Sequence, residues 1–339
     1  MEKKRLDWLD CTRGIGIILV VLTHSATTVL RENYKLAKAI YEGSFFIDRQ
    51  LLMVLSGYVF YLAKSHYKKL NNIEFFKKKV QRILVPYIVY SFIVYLFFQV
   101  INEIPFLEAI MEYSVYKKSN IVSWAKGILT GTNNYTLHLW FLYDLFIYVC
   151  ITYILMKKFK NWEKIIVVSW GILTVLSYLL EWKQNGIIDN LIYFYTWFLM
   201  GIVLCPKIKD CKIWMWGIAI GYGYFILYHL FECERMENQI LELLYQLTKG
   251  AAIIGIIQLG KELRGKILYI CKYIGKNSMD IYLFSQPFFG SCIGVVGYQV
   301  FHLPVIVILI ISITLSFIVP IIILKILTHT KYLKKLFGH

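Results

Sequence analysis

Charge is scarce in this sequence. Only 17% of its 339 residues are Asp, Glu, Lys or Arg, against roughly 25% in a soluble domain. Hydrophobic residues make up 58%, and mean hydropathy is +0.58. That balance excludes a soluble globular protein. Acid is scarcer still, with 21 acidic side chains against 37 basic ones and a net charge of +16. Paired cysteines are missing as well. The seven (Cys11, Cys150, Cys205, Cys211, Cys233, Cys271 and Cys292) show no CxxC spacing, so neither a disulfide framework nor a metal site is expected. The first apolar run continues into the polar ENYK, so it is expected to stay in the chain and not be removed as a signal. Internal repeats, low-complexity segments and linkers are absent, and residues 1–339 are read as a single membrane domain.

What is present is a series of apolar stretches long enough to cross a bilayer, which takes about 17–25 helical residues. Ten are predicted, at 14–30, 44–63, 83–101, 137–156, 165–181, 188–205, 213–231, 243–259, 278–301 and 304–327. The fold class is therefore all-α, a polytopic transmembrane bundle. A net charge this positive would suit nucleic acid, but its distribution is that of a topology signal. On alternate sides of a ten-span arrangement, 27 Lys and Arg fall on one side and eight on the other. The richer side is cytoplasmic by the positive-inside rule, so both termini are predicted there and no nucleic-acid partner is expected. The bias towards Lys, Ile, Tyr and Asn points to an AT-rich bacterial genome, and hence to a bacterial cytoplasmic membrane.

Two loops stand out. The predicted cytoplasmic segment 64–82, KSHYKKLNNIEFFKKKVQR, is strongly basic. It serves either topology and anionic lipid or a polyanionic cytosolic ligand, for which Lys and Arg are the usual phosphate partners. The external loop 102–136 contains EAIMEY and SWAKGIL, read as short interfacial helices.

Ionisable groups inside spans cost a few kcal/mol or more, which makes His24, Asp48, Arg49, Asp144, Lys249 and Asp280 candidates. Arg13 and His24 stand eleven residues apart in RGIGIILVVLTHS. On a helix that is a rise of about 16 Å over almost three turns, so both project from nearly one face, one at a membrane surface and the other inside. Asp48 and Arg49 mark either the outer boundary of span two or a polar site. Lys249 either snorkels, pairs with Asp144 or faces a water-filled cavity. Asp280, after KNSM, is read as an N-terminal helix position, and His138 with Trp140 as part of an interfacial aromatic belt.

These residues also fall into an ordered set of motifs. LDWLDCTRGIGIILVVLTHS, with Arg13, ten residues and His24, resembles the Arg/Lys-x10-His signature of the acyltransferase-3 family of integral membrane acyltransferases. LLMVLSGYVF at 51–60, KVQRILVPYI at 79–88, LHLWFLYDLF at 137–146 and IGKNSMDIYLF at 274–284 are similar to later motifs of that family, in its order. The resemblance implies transfer of an acyl group, usually acetyl from acetyl-CoA, to hydroxyls of cell-surface or exported carbohydrate. It implies that His24 is the essential intramembrane histidine and Arg13 its basic partner. Lys79 and Arg82 stand at the family's RxxR pair, here KxxR, and would hold the donor. Asp48 and Arg49 in IDRQLL, and Ser285 in IYLFS, depart from the usual pattern. No appended SGNH hydrolase-like domain is seen, so the chain resembles the stand-alone branch, with its fucose and exopolysaccharide O-acetylases.

On this reading acyl-CoA, expected to be acetyl-CoA, is a co-substrate, and no tightly bound cofactor is expected. The partners are acyl-CoA, a glycan or glycolipid acceptor and the lipid bilayer. Asp144, Lys249, Arg49 and Asp48 would lie on the acceptor side, with Asp144 able to orient His24. The oligomeric state, the acyl group and the acceptor are left open. A transporter or flippase reading takes the same buried charges as a substrate path, with Lys249 and Asp144 as its best support, and a catalytically inactive scaffold is the third reading.

Overall fold

The computed structural model describes residues 6–104, 120–132, 134–179, 187–204, 214–231, 238–327, 329–330, 333 and 336–338. The predicted helix EAIMEY lies outside the described residues. Every regular element among the described residues is helical. In chain order these are α1 (Asp7–Ser25), α2 (Thr28–Asn33), α3 (Lys35–Phe45), α4 (Asp48–Lys69), α5 (Asn72–Lys79), α6 (Val85–Ile101), α7 (Ile121–Thr130), α8 (Trp140–Lys158), α9 (Trp162–Leu179), α10 (Ile187–Val203), α11 (Trp214–Leu230), α12 (Gln239–Glu262), α13 (Gly265–Lys276), α14 (Ser278–Ser285), α15 (Ile293–Gln299) and α16 (Val305–Leu327).

Five helical stretches are long and apolar enough to cross a membrane, Lys35–Lys69, Asn72–Ile101, Trp140–Lys158, Ile240–Glu262 and Val305–Ile323. The number is six if the pair Ser278–Ser285 and Phe288–Gln299, bent by 50°, counts as one broken span. Helices α10 and α11 have 17 residues each, at the lower limit for a span. On α6 and α16, Ile88, Phe92, Leu96, Val100, Ile306, Ile310 and Ile322 are exposed. In water such a patch would be a liability, whereas against acyl chains it costs nothing.

The first helix is the hub. Beyond Asp7, every residue of α1 is buried or half-buried, and it packs against α3, α4, α12, α13 and α14. It runs antiparallel to α4, with Trp8 and Tyr58 at one end, ring centroids 5.6 Å apart, and Thr23 bonded to Asp48 at the other. It also runs antiparallel to α13. There a Cβ on Gly14 would overlap the carbonyl of Cys271, and one on Gly275 the carbonyl of Asp10. Glycine at both positions lets the two backbones touch, as small residues do between membrane helices.

Helix α5 starts at a capping box, Asn71 accepting from the Glu74 amide at 2.8 Å while the Glu74 carboxylate accepts from the Asn71 amide at 3.3 Å. Its last residue, Lys79, leads into a single wide turn of π-helix, Val80–Leu84, and Pro86 follows in the first turn of α6, where its missing N–H is not needed. In the external loop, SWAKGIL is helical within α7, capped by Asn120 and ended by Gly131 at φ +70°. The indole of Trp124 donates to the Ser91 carbonyl at 3.3 Å and docks α7 on α6. Asp280 stands in the first turn of α14, as predicted.

Candidate active site

At one end of the bundle the N-terminus of α1 meets the far ends of α4, α12 and α13. Arg13 lies half-buried beside the buried Asp10, Nη1 to Oδ1 3.6 Å. Asp7 pairs with Lys272 at 2.7 Å, and Lys261 lies over the Trp8 ring at 5.3 Å. Beyond the end of α4, Lys79 donates to the Tyr67 hydroxyl at 2.8 Å and lies over that ring and the ring of Phe75. Phe75 in turn stacks on Tyr153 at 3.6 Å. Lys79 is therefore largely committed to its aromatic neighbours. Arg82, in the π turn, is exposed, and no ion pair holds it among the described residues. Such turns are frequent at functional sites.

The other end of α1 carries His24. The helix runs unbroken from Asp7 to Ser25, so Arg13 and His24 stand about 16 Å apart along one axis. The neighbouring Thr23 donates to Asp48 Oδ2 at 2.8 Å and lies 3.0 Å from the Ser44 hydroxyl, tying α1 to the junction of α3 and α4. Asp48 is 1% exposed, so it is a buried anchor and not a wet boundary. Its Oδ1 accepts from the Arg49 amide at 2.6 Å and from Arg49 Nε at 3.4 Å. The Arg49 guanidinium lies over Phe45 at 3.9 Å and faces Phe194 at 5.5 Å. His24 lies within electrostatic range of Arg49, Arg31 and His138.

Replacing Thr23 by valine keeps the shape and removes the hydroxyl. Loss of a hydrogen bond to a buried carboxylate should lower stability by about 1.5–3 kcal/mol, read as a drop in unfolding temperature in nanodiscs. An unchanged temperature would show that the bond contributes nothing.

Asp144 and Lys249 are buried, at 5% and 6% exposure, but they do not meet. Asp144 is 3.3 Å from the Tyr148 hydroxyl, whose proton has a closer acceptor in the Leu191 carbonyl at 2.6 Å. Lys249 lies over Tyr245 at 4.8 Å and Phe46 at 5.5 Å, a cation held by ring faces. The two are not paired with each other, and neither bonds the imidazole of His24.

Sequence reasoning missed His138, Arg31 and Tyr282. His138 lies in the 3-10 segment Asn134–Leu139, which bends at Thr136. It is turned inward, its carbonyl accepts from the Tyr282 hydroxyl, and its ring lies 5.9 Å from that of Tyr282. Tyr282 is itself within electrostatic range of Asp144 and Arg49. Arg31 lies over the Tyr41 ring at 3.7 Å. The described residues hold no group of three or more His, Cys, Asp or Glu arranged to bind a metal.

The arrangement, a basic surface and a half-buried imidazole joined by one straight helix, is suited to a donor with a polyanionic head and a reactive group far from it. Comparison with known families decides the class. A family model described as an acyltransferase domain, Acyl_transf_3, matches residues 6–325. The chain belongs to the acyltransferase-3 family. That span takes in every site residue named above, and it supports a multi-pass membrane acyltransferase. No curated protein and no solved structure matches this acyltransferase-3 chain.

Proposed function

We propose that this acyltransferase-3 protein transfers acetyl from acetyl-CoA to a hydroxyl of a cell-surface or exported carbohydrate. It does so in a bacterial cytoplasmic membrane, with ten spans and both termini in the cytoplasm. The single observation that carries the reading is α1, which stands with Arg13 at a basic end of the bundle and His24 in a polar cluster about 16 Å away. The CoA phosphates bind at the basic end, and the pantetheine arm runs along α1 to bring the thioester to His24. Neutral imidazole takes the proton of the acceptor hydroxyl as general base, or is acylated itself and passes the group on. In either route the hydroxyl oxygen gains the acyl carbon, CoA leaves as the thiol, and the hydroxyl proton ends on the thiolate by way of the imidazole.

The transporter reading takes the buried Lys249 and Asp144 as a substrate path, and it gains if Lys249→Met blocks substrate movement while no acyl product forms. The reaction is tested with purified protein in nanodiscs and radiolabelled acetyl-CoA, following CoA release with a panel of glycan acceptors. No release with acetyl-CoA or succinyl-CoA would overturn the proposal. For the donor role, Arg82→Ala should raise the KM for acetyl-CoA about tenfold, the effect of losing roughly 1.4 kcal/mol of phosphate binding, with kcat little changed. An unchanged KM would remove Arg82 from that role.

A further inference from the structure

The polar groups that surround His24 are short of partners in one particular way. Arg49 Nη2, Arg31 Nε and His138 Nε2 are buried and have no hydrogen-bond partner among the described residues, as are the hydroxyls of Ser25 and Thr27. Arg31 and Arg49 both lie within electrostatic range of His24, and His138 lies close enough to act on it too. Among the described residues only one carboxylate, Asp48, pairs with either guanidinium, through Arg49 Nε at 3.4 Å. It is already shared with Thr23 and with the Arg49 amide. Arg31 is held by the Thr28 hydroxyl at 2.8 Å and by the face of Tyr41, neither of which carries a full charge.

A buried donor that nothing satisfies is destabilising, and one ligand reaching Arg31 Nε, Arg49 Nη2 and His138 Nε2 would complete all three. The two guanidiniums share one ladder of rings, Arg31 over Tyr41 and Arg49 over Phe45 with those rings stacked at 4.9 Å, and Asp48 ties Arg49 to Thr23, the neighbour of His24. An excess of cationic donors with a single committed carboxylate selects for negative charge. Arginine forks suit planar or tetrahedral oxyanions in particular.

We propose that this cradle binds an anionic group, a carboxylate or a phosphate, carried either by the acyl chain or by the acceptor sugar while its reacting atom stands at His24. The proposal rests on acyl transfer as the reaction and narrows its substrates to a class in which one partner is acidic. A dicarboxylic acyl group would place its free carboxylate here. A uronic acid or phosphorylated sugar would do the same from the acceptor side.

Two kinetic arms separate the sources. In nanodiscs, succinyl-CoA is compared with acetyl-CoA on a neutral glucoside acceptor, and a glucuronoside is compared with that glucoside using acetyl-CoA. The expected result is a preference of at least tenfold in kcat/KM for the acidic substrate in one arm. That ratio should collapse in Arg31→Gln and be partly kept in Arg31→Lys, which retains the charge and loses the fork. A preference in the first arm assigns the anion to the acyl chain, and one in the second assigns it to the acceptor. No preference in either arm, or one that Arg31→Gln leaves intact, overturns the proposal. If CoA is never released, acyl transfer itself has failed, and a binding measurement still decides the cradle. Succinate or glucuronate, but not glucose, should then raise the unfolding temperature of the wild type and not of Arg31→Gln. The absence of any shift overturns the proposal.

Discussion

His24→Ala should abolish His24-dependent CoA release, lowering turnover by about 10²–10⁴-fold if the imidazole is a general base. That is a barrier increase of about 3–5 kcal/mol. If the imidazole carries the acyl group, the loss should reach background, because the covalent step is lost with it. Labelled donor without acceptor, quenched and denatured, distinguishes the two routes. Acid-labile label on the wild type but not on His24→Ala means a relay. The fold should survive the change, since His24 is only half-buried and Thr23, Asp48 and Ser44 hold the end of α1 without it. Equal unfolding temperature and a monodisperse elution profile check that. A variant that keeps more than a tenth of the wild-type turnover would remove His24 from the chemistry.

The part of the site that lies along one helix was legible in the sequence. An uninterrupted apolar run with Arg13 and His24 on nearly one face could only be a helix with two differently placed ends, and α1 is that helix. Asp280 was legible for a similar reason, because the start of a helix is a local event. The rest depended on contacts between distant residues. His138 is 114 positions from His24, and nothing in LHLWFL separates an inward turn from an interfacial belt. The bend at Thr136 decides it. The π turn at Val80–Leu84 leaves no compositional trace, yet it sets the direction of Arg82. Hydropathy also blurred the junction of α3 and α4. The second span was expected at 44–63, whereas one helical stretch runs from Lys35 to Lys69, because the chain turns at Phe46 and Ile47 without leaving helical structure for long. Lys249 shows the limit of charge reasoning. A buried cation implies compensation, but a carboxylate and two ring faces both supply it.

Gly275→Val should be the most damaging single substitution outside the polar cluster. The residue belongs to IGKNSMDIYLF, and its Cα lies against the backbone of α1, where an added Cβ would overlap the Asp10 carbonyl and crowd the Gly14 amide at 2.8 Å. Those atoms are main chain and cannot rotate away, so the helices must separate. In a helix a glycine-to-alanine change is worth up to about 1 kcal/mol in propensity, and forced overpacking typically costs 1–3 kcal/mol. A β-branched residue gives back part of the first and increases the second, so destabilisation wins. The damage should extend to function. Asp10 is 1% exposed and sits beside Arg13, so moving its carbonyl moves the residue to which the proposed function gives the donor phosphates. Gly275→Val should therefore show a lower unfolding temperature and, in whatever fraction remains folded, a raised KM for acetyl-CoA. Gly171→Ala is the control, since nothing lies within 4 Å of a Cβ there, and it should match or slightly exceed the wild type in stability. If Gly275→Val and Gly171→Ala unfolded at the same temperature, the close approach of α1 and α13 would not hold in the membrane, and the placement of Arg13 would have to be set by another contact.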